Sequence, residues 1–337
     1  MKEKIKYAGA MLICFIAVLF IRMPVMADDG VPATAWRDYA AADFAGGSGT
    51  ETDPYRITDG AQLAKIAKDV ENGTVYKDAY FRLENDIDLS AHRWNPIGVY
   101  KWYEGGATED RMFAGFLDGN GKTITGLIVD ERTEKNRAGL FGQIAYTGAA
   151  TNVGVKDLNI VDARIYATNE GMEKNSSAIL AGFVMANSGH TIRFDDISVS
   201  GTIVNTKVGD NSMMSGGLFG EANRVTADHC RADVTIEGGD NTGGFVGLDG
   251  SSTYTNCKVT GKVTGLWSIG GFVGYAWEAE SATMSTFDNC IAKVAVIASN
   301  WRAGGFAGYM QKGKSSSCAA LGDVISCLLY TSPSPRD

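Results

Sequence analysis

A glycine-led tetrapeptide, Gly-Phe/Leu-X-Gly, governs the second half of this chain, with copies opening at Gly139, Gly182, Gly217, Gly244, Gly271 and Gly305. The intervals between them are 43, 35, 27, 27 and 34 residues, so the two equal intervals define the undecorated unit. Recurrence on this scale restricts a chain to stacked repeats, because one unit cannot bury its apolar face alone and must lean on the next. Aligned copies also place like residues in columns. The thirteenth position after the glycine holds Cys230, Cys257 and Cys318, Cys290 reaches it after an insertion that follows Tyr275, and Leu158 and Ile197 fall there in the looser early copies. Four residues before the glycine come Met213, Asp240, Trp267 and Trp301; four after it come Glu221, Leu248, Tyr275 and Tyr309.

Within a copy the segments read as short strands, such as 243–247, 255–259 and 261–265, separated by Gly, Asn, Asp and Ser. No stretch between copies carries ten residues of helical period. Parallel strands without crossover helices leave a solenoid, so the expected fold class is all-β, a parallel β-helix. At a strand spacing of about 4.8 Å, six coils stack to roughly 25–30 Å.

These residues resemble a known family. The motifs GLFG (139–142 and 217–220), GFVG (244–247 and 271–274) and GFAG (305–308), with Asn-Cys at 256–257 and 289–290, resemble the GLUG-repeat proteins of bacteria. The stretch before them resembles the lead-in to such repeats: 47–57, 61–67, 80–90, 96–98 and 117–127. The likeness covers about residues 44–324. It implies a right-handed β-helix in a secreted or surface-displayed module and implies no reaction, since such repeats occur in adhesin-like proteins and upstream of the catalytic part of some immunoglobulin A-cleaving metallopeptidases.

The N-terminus carries Lys2, Lys4 and Lys6, an apolar run from Ala8 to Ile21, and Val25-Met26-Ala27 before Asp28. That is the pattern of a secretory signal over 1–27, too short and too N-terminal to favour a membrane span. Cys14 lies behind Ile13 rather than a small residue, which argues against a lipid anchor. Formal charge is −8 for the whole chain. Without the signal and the last eleven residues, 26 basic residues face 37 acidic ones, a surface that repels phosphate backbones and excludes nucleic acid as the expected partner. The segment 327–337 breaks the pattern abruptly and resembles an in-frame translation of a sequencing-library adapter. The native chain is therefore expected to run on past Ser326 into further domains. The expected organisation is signal 1–27, lead-in and cap 28–138, and repeats 139–326.

A stacked fold must cover its apolar end. Residues 59–73 suit that task as a short capping helix: Asp59 caps with Gln62 three residues on, Leu63, Ile66, Ala67 and Val70 form one stripe, and Gly73 ends it. The cysteine column, shared with Leu and Ile, reads as a buried aliphatic-sized position. Reduced core thiols and one or two disulfides between stacked neighbours both remain open, because the spacing permits a bridge whereas parallel in-register side chains disfavour its dihedral.

Catalytic signatures are scarce. There is no HExxH, no GxSxG and no CxxC, and the three histidines are His92, His190 and His229. The GNGKT at 119–123 has Phe116 where a phosphate loop needs glycine, and reads as a tight turn. Asp195 and Asp196 are adjacent, so a strand would point them to opposite faces, unlike a glycosidase pair. Asp86, Asp88 and Asp118 are weak calcium candidates. No cofactor is expected. The stronger candidates are Trp267 and Trp301 with Tyr275 and Tyr309, a column that either stacks on sugar rings and partner side chains or packs against itself or the 276–285 insertion. Trp94, Tyr100, Trp102 and Tyr103 form a second aromatic group, expected in a loop over the cap. The insertions 168–177, 205–212 and 276–285 are further places for binding. The expected function is non-enzymatic adhesion or display toward glycans or host and matrix proteins. The alternative is an enzyme, either polysaccharide-cleaving or the upstream part of a protease.

Overall fold

The computed structural model describes residues 30–102, 108–134, 136–145, 152–168, 175–187, 189–206, 213–277 and 284–326. The signal segment, the tail 327–337, Tyr103 and the larger part of each of the three insertions lie outside the described residues.

One coil shows how the repeat is built. Val225–Asp228 runs into Arg231–Glu237 on one face; Asn241–Gly243 forms a second face and Val246–Gly250 a third, after which Thr253–Thr255 begins the next coil. Each strand pairs in parallel with its equivalent one repeat later, giving sheets of seventeen, five and six strands. The fold is thus an all-β parallel stack with one α-helix among the described residues. Alternating burial within strands, as in Arg231–Glu237, sends every second side chain inward. The buried residues form one continuous core from Ile57 to Ala298.

Two corners of each coil make different demands on the chain. Between the first two strands of each coil the chain turns through a left-handed residue, at Asp157, Asp196, His229, Asn256, Asn289 and Ser317. Each is followed at once by the aliphatic or cysteine column. At the corner between the second and third faces the requirement is steric instead. A Cβ on Gly217 would lie 2.5 Å from the Gly244 carbonyl oxygen, and Cβ atoms on Gly244 and Gly271 would run into the carbonyls of Gly271 and Gly305. The motif is therefore the line along which successive coils touch backbone to backbone.

One repeat assignment needs correction. Ala181 pairs with Phe141 and Phe219, so Gly182 falls level with Gly142 and Gly220 and closes its corner rather than opening it. Ile179 stands at the opening position, with its N–H donating to the Gly217 carbonyl at 3.0 Å. The copy read from Gly182 has Met185 where the closing glycine belongs.

Between the glycines, Phe245, Phe272 and Phe306 stack inside the core with centroids 4.6 and 5.0 Å apart and planes within 10° and 7° of parallel. Tyr254 and Phe287 form a second inner ladder at 5.3 Å, meeting the first edge-on. At the N-terminal end, helix α1, Gly60–Glu71, begins at Asp59, whose side chain accepts the Gln62 N–H at 2.9 Å, while the Gln62 carboxamide oxygen accepts the Thr58 N–H at 2.8 Å. This reciprocal capping fixes the helix entry. Leu63, Ala64, Ile66, Ala67 and Val70 then face inward and join the core of the first coil. Lead-in strands pair directly with repeat strands, Phe116 with Gly154 and Ile124 with Ile160, so the two segments form one stack.

Of the second aromatic group, Trp94 does not lie in a loop over the cap. Trp94 is buried, bridges to Val129 and donates its indole N–H to the Leu140 carbonyl at 2.9 Å, which makes it a core residue. Tyr100 sits on an antiparallel pairing of Val99–Trp102 with Thr108–Arg111, its ring under the Arg137 guanidinium at 4.3 Å. Strand alternation explains the difference, since a tryptophan at an inward position is pulled into the stack whatever its loop-like neighbours.

Candidate ligand-binding surface

The surface that combines exposed aromatic rings with a cation lies on the last two complete coils. Trp267 and Trp301 occupy the turns that lead into Ile269–Gly270 and Ala303–Gly304, and the pairing of Ile269 with Ala303 puts them side by side. Their rings stack with centroids 5.8 Å apart and planes 29° off parallel, yet the residues stay 42 % and 54 % exposed. Part of the expected self-packing therefore occurs and leaves the indole edges and outer faces open. One face along, Tyr275 pairs with Tyr309, and their rings lie 5.0 Å apart at 44°.

Arg302 joins the two columns. It follows Trp301, adopts a left-handed backbone with φ of 59°, and lays its guanidinium 4.0 Å from the centre of the Tyr309 ring. Gln311 completes the set, its carboxamide oxygen accepting the Tyr275 hydroxyl at 2.9 Å. Burial and the neighbouring Tyr309 hold the Tyr275 phenol above its usual range, against the opposing pull of Arg302. Sequence reasoning found the four aromatic residues through their columns. It missed Arg302 and Gln311, which no repeat column distinguishes.

The acidic calcium candidates are not brought together. Asp86 accepts the Thr123 N–H, Asp88 accepts the Ser90 N–H, and Asp118 accepts the Asn120 N–H, each at 2.8 Å. Asp118 also faces the Lys156 ammonium at 3.3 Å. The hydrogen bond from the Ser90 N–H holds the Asp88 carboxyl below its ordinary range. All three are engaged by backbone N–H groups, Asp86 and Asp88 from the NDIDLS segment and Asp118 from the turn at 118–121, and among the described residues no group of three or more His, Cys, Asp or Glu could hold a metal ion.

Cys230, Cys257, Cys290 and Cys318 carry free thiols stacked in register. Each points its sulfur at backbone carbonyls; Cys257, for example, lies 3.2 Å from the Thr255 oxygen. Burial raises the Cys257 thiol well above its ordinary range, and contact with Cys257 followed by burial does the same for Cys290.

A second buried polar group escaped the sequence reading. Asp249 is fully buried; its carboxyl accepts the Tyr254 hydroxyl at 2.6 Å and the Ser285 hydroxyl, with Ser252 also bonded to it. Burial pushes the Asp249 carboxyl above its usual range even though these hydroxyls oppose the shift. The signal was present, because Asp249 interrupts a column otherwise held by Ala222 and Ala276.

With the geometry in place, similarity to known proteins can be set beside it. No family model matches the chain. Over 191 residues, 55 % of the chain, it is 29 % identical to halomucin of Haloquadratum walsbyi, of which the match spans 2 %. Over 118 residues, 33 % of the chain, it is 35 % identical to a proposed Gly-rich membrane protein of Evansella cellulosilytica, of which the match spans 12 %. The chain thus spans a small part of the length of these curated relatives. Among solved structures it resembles a proposed immunoglobulin A1 protease from Bacteroides ovatus, with a TM-score of 0.54 and 18 % identity over 83 % of this chain and 80 % of that one. That likeness supports the parallel-strand fold. No helix among the described residues is long and apolar enough to cross a membrane.

Proposed function

We propose that this chain is a non-enzymatic, secreted or cell-surface β-helical module that binds a glycan, or a host or matrix protein, through the aromatic strip of Trp267, Trp301, Tyr275 and Tyr309. The observation that carries the reading is the pair of stacked indoles left about half exposed on a fold that buries its other aromatic ladders. A soluble protein rarely leaves two adjacent tryptophans in water without use, and flat aromatic faces are suited to stacking. The secretory pattern at 1–27, the acidic surface, and the mucin and membrane-protein names of its relatives support a place outside the cell.

The test is direct binding of the purified protein to a glycan array and to immobilised matrix proteins. Replacing Trp267 and Trp301 together by alanine is expected to weaken the strongest interaction by about fivefold to a hundredfold, since each stacking contact is worth about 0.5–1.5 kcal/mol. The far-ultraviolet circular dichroism spectrum should not change. Binding that survives the double substitution refutes the assignment. New reducing ends from acidic polysaccharides incubated with the protein would favour the enzymatic alternative instead.

A further inference from the structure

The chemistry around the indoles narrows the ligand, and we infer that it is a glycan bearing ring carboxylates, such as a polyuronate, laid along the coil axis with a carboxylate on Arg302. This inference rests on the binding role proposed above for the same strip.

Three observations lead to it. First, Arg302 is exposed and has no carboxylate partner among the described residues, on a chain with a formal charge of −8. The guanidinium is a single local contact for an anion, set on a surface whose net negative charge repels dense polyanions. Its contact with the Tyr309 ring, 4.0 Å from the centroid, holds the guanidinium in place, and its N–H donors can make a bidentate contact with a carboxylate. Second, the Gln311 oxygen is engaged by Tyr275, which fixes the carboxamide and leaves its NH₂ to donate to a hydroxyl. Third, the strip repeats at one aromatic pair per coil, Trp267 with Tyr275 and then Trp301 with Tyr309, so successive sugar rings of one extended chain can meet successive pairs.

Rings for stacking, a fixed donor for hydroxyls and one fork for a carboxylate match an acidic sugar polymer better than an acidic peptide.

The test measures binding of the full chain to polygalacturonate, alginate and hyaluronan, to polygalacturonate whose carboxylates have been reduced to alcohols, and to poly-glutamate. At least one polyuronate should bind, and reduced polygalacturonate at least tenfold more weakly than its parent if that parent is the ligand. Arg302→Gln should remove most of the preference for the charged polymer, with Arg302→Lys intermediate, and neither should move the urea midpoint. Equal binding of the reduced polymer overturns the inference while leaving glycan binding in place. Binding of poly-glutamate alone overturns it in favour of an acidic protein partner. Binding of none of these polymers, or a preference untouched by Arg302→Gln, overturns it outright.

Discussion

The buried Asp249 is the most exacting place to test the physical account of this stack. Its carboxyl accepts the Tyr254 and Ser285 hydroxyls where neither has access to water, Tyr254 at 0 % exposure and Ser285 at 1 %. Asp249→Ala fits the space sterically, because the same column holds Ala222 below and Ala276 above. It leaves two hydroxyls buried with no acceptor, at about 1–3 kcal/mol each, so the expected loss is about 2–6 kcal/mol. The next coil shows the apolar solution, with Ala276 and Phe287 at the positions of Asp249 and Tyr254. Tyr254→Phe should therefore destabilise the native protein by about 1 kcal/mol yet stabilise the Asp249→Ala background by about 1–3 kcal/mol. Urea unfolding followed by tryptophan fluorescence measures both arms. The same sign for Tyr254→Phe in the two backgrounds would refute the hydroxyl-cage account. The carboxyl also gives a pH signature. Because burial raises its native pKa, the unfolded chain loses this proton first, near pH 4, while the folded protein still holds it. Its contribution is full below that pH and falls as pH rises toward the raised native value. Asp249→Asn should flatten that descent.

Two further outcomes test the columns. The thiols of Cys230, Cys257 and Cys290 should resist a disulfide-exchange reagent in the native protein and react on unfolding, since each is buried and the Cys257 and Cys290 thiols are held above their ordinary range; rapid native labelling of Cys257 would show that the stack opens there. Gly217→Ala should cost more than about 2 kcal/mol through its collision with the Gly244 carbonyl, whereas Gly73→Ala, with nothing within 4 Å but a φ of +98°, should cost about 1 kcal/mol; equal melting temperatures for the two variants would remove the steric account of the motif.

Residues that repeat were legible in the sequence, and residues that break the repeat mostly were not. The cysteine column appeared because parallel pairing in register turns equal sequence offsets into equal places in space, as Ser198 with Arg231 and then Lys258 shows. The helix was legible because capping and stripe both lie within fifteen residues, a range over which local bonds decide. Gly182 was misplaced for the opposite reason. Ala181-Gly182-Phe183 imitates an opening glycine, and the shift shows in Met185 at the closing position and in the pairing of Ala181 with Phe219. Asp249 drew no reading from the sequence, because a carboxylate in a glycine-rich stretch gives no local sign of the Tyr254 and Ser285 hydroxyls that it meets, the second of them a full coil away.

The same geometry explains why the candidate surface sits where it does. In an in-register stack each outward position becomes a line running the length of the molecule, so binding chemistry is located by where a line changes character. The line that holds Trp267 and Trp301 runs through Asn175, Met213 and Asp240, and the line that holds Tyr275 and Tyr309 runs through Gln143, Phe183, Glu221 and Leu248. Phe183 is an isolated aromatic residue early on the second line, and from the coil of Trp267 and Tyr275 onward both lines are aromatic. Two columns on neighbouring faces have no packing reason to change together, since Trp267 and Trp301 point outward while the core beneath them continues with the same phenylalanine ladder. A shared ligand supplies the reason, and Arg302, lying between the columns against Tyr309, is the residue that would feel it from both sides. Transplanting the test follows from this. Asp240→Trp with Leu248→Tyr extends both lines by one coil toward the N-terminus, and a polymer bound along the axis should then bind several-fold more tightly, since each added contact of this kind is worth about 0.5–1.5 kcal/mol. A ligand held at a single coil would gain nothing, and that result would confine the site to Trp301, Arg302 and Tyr309.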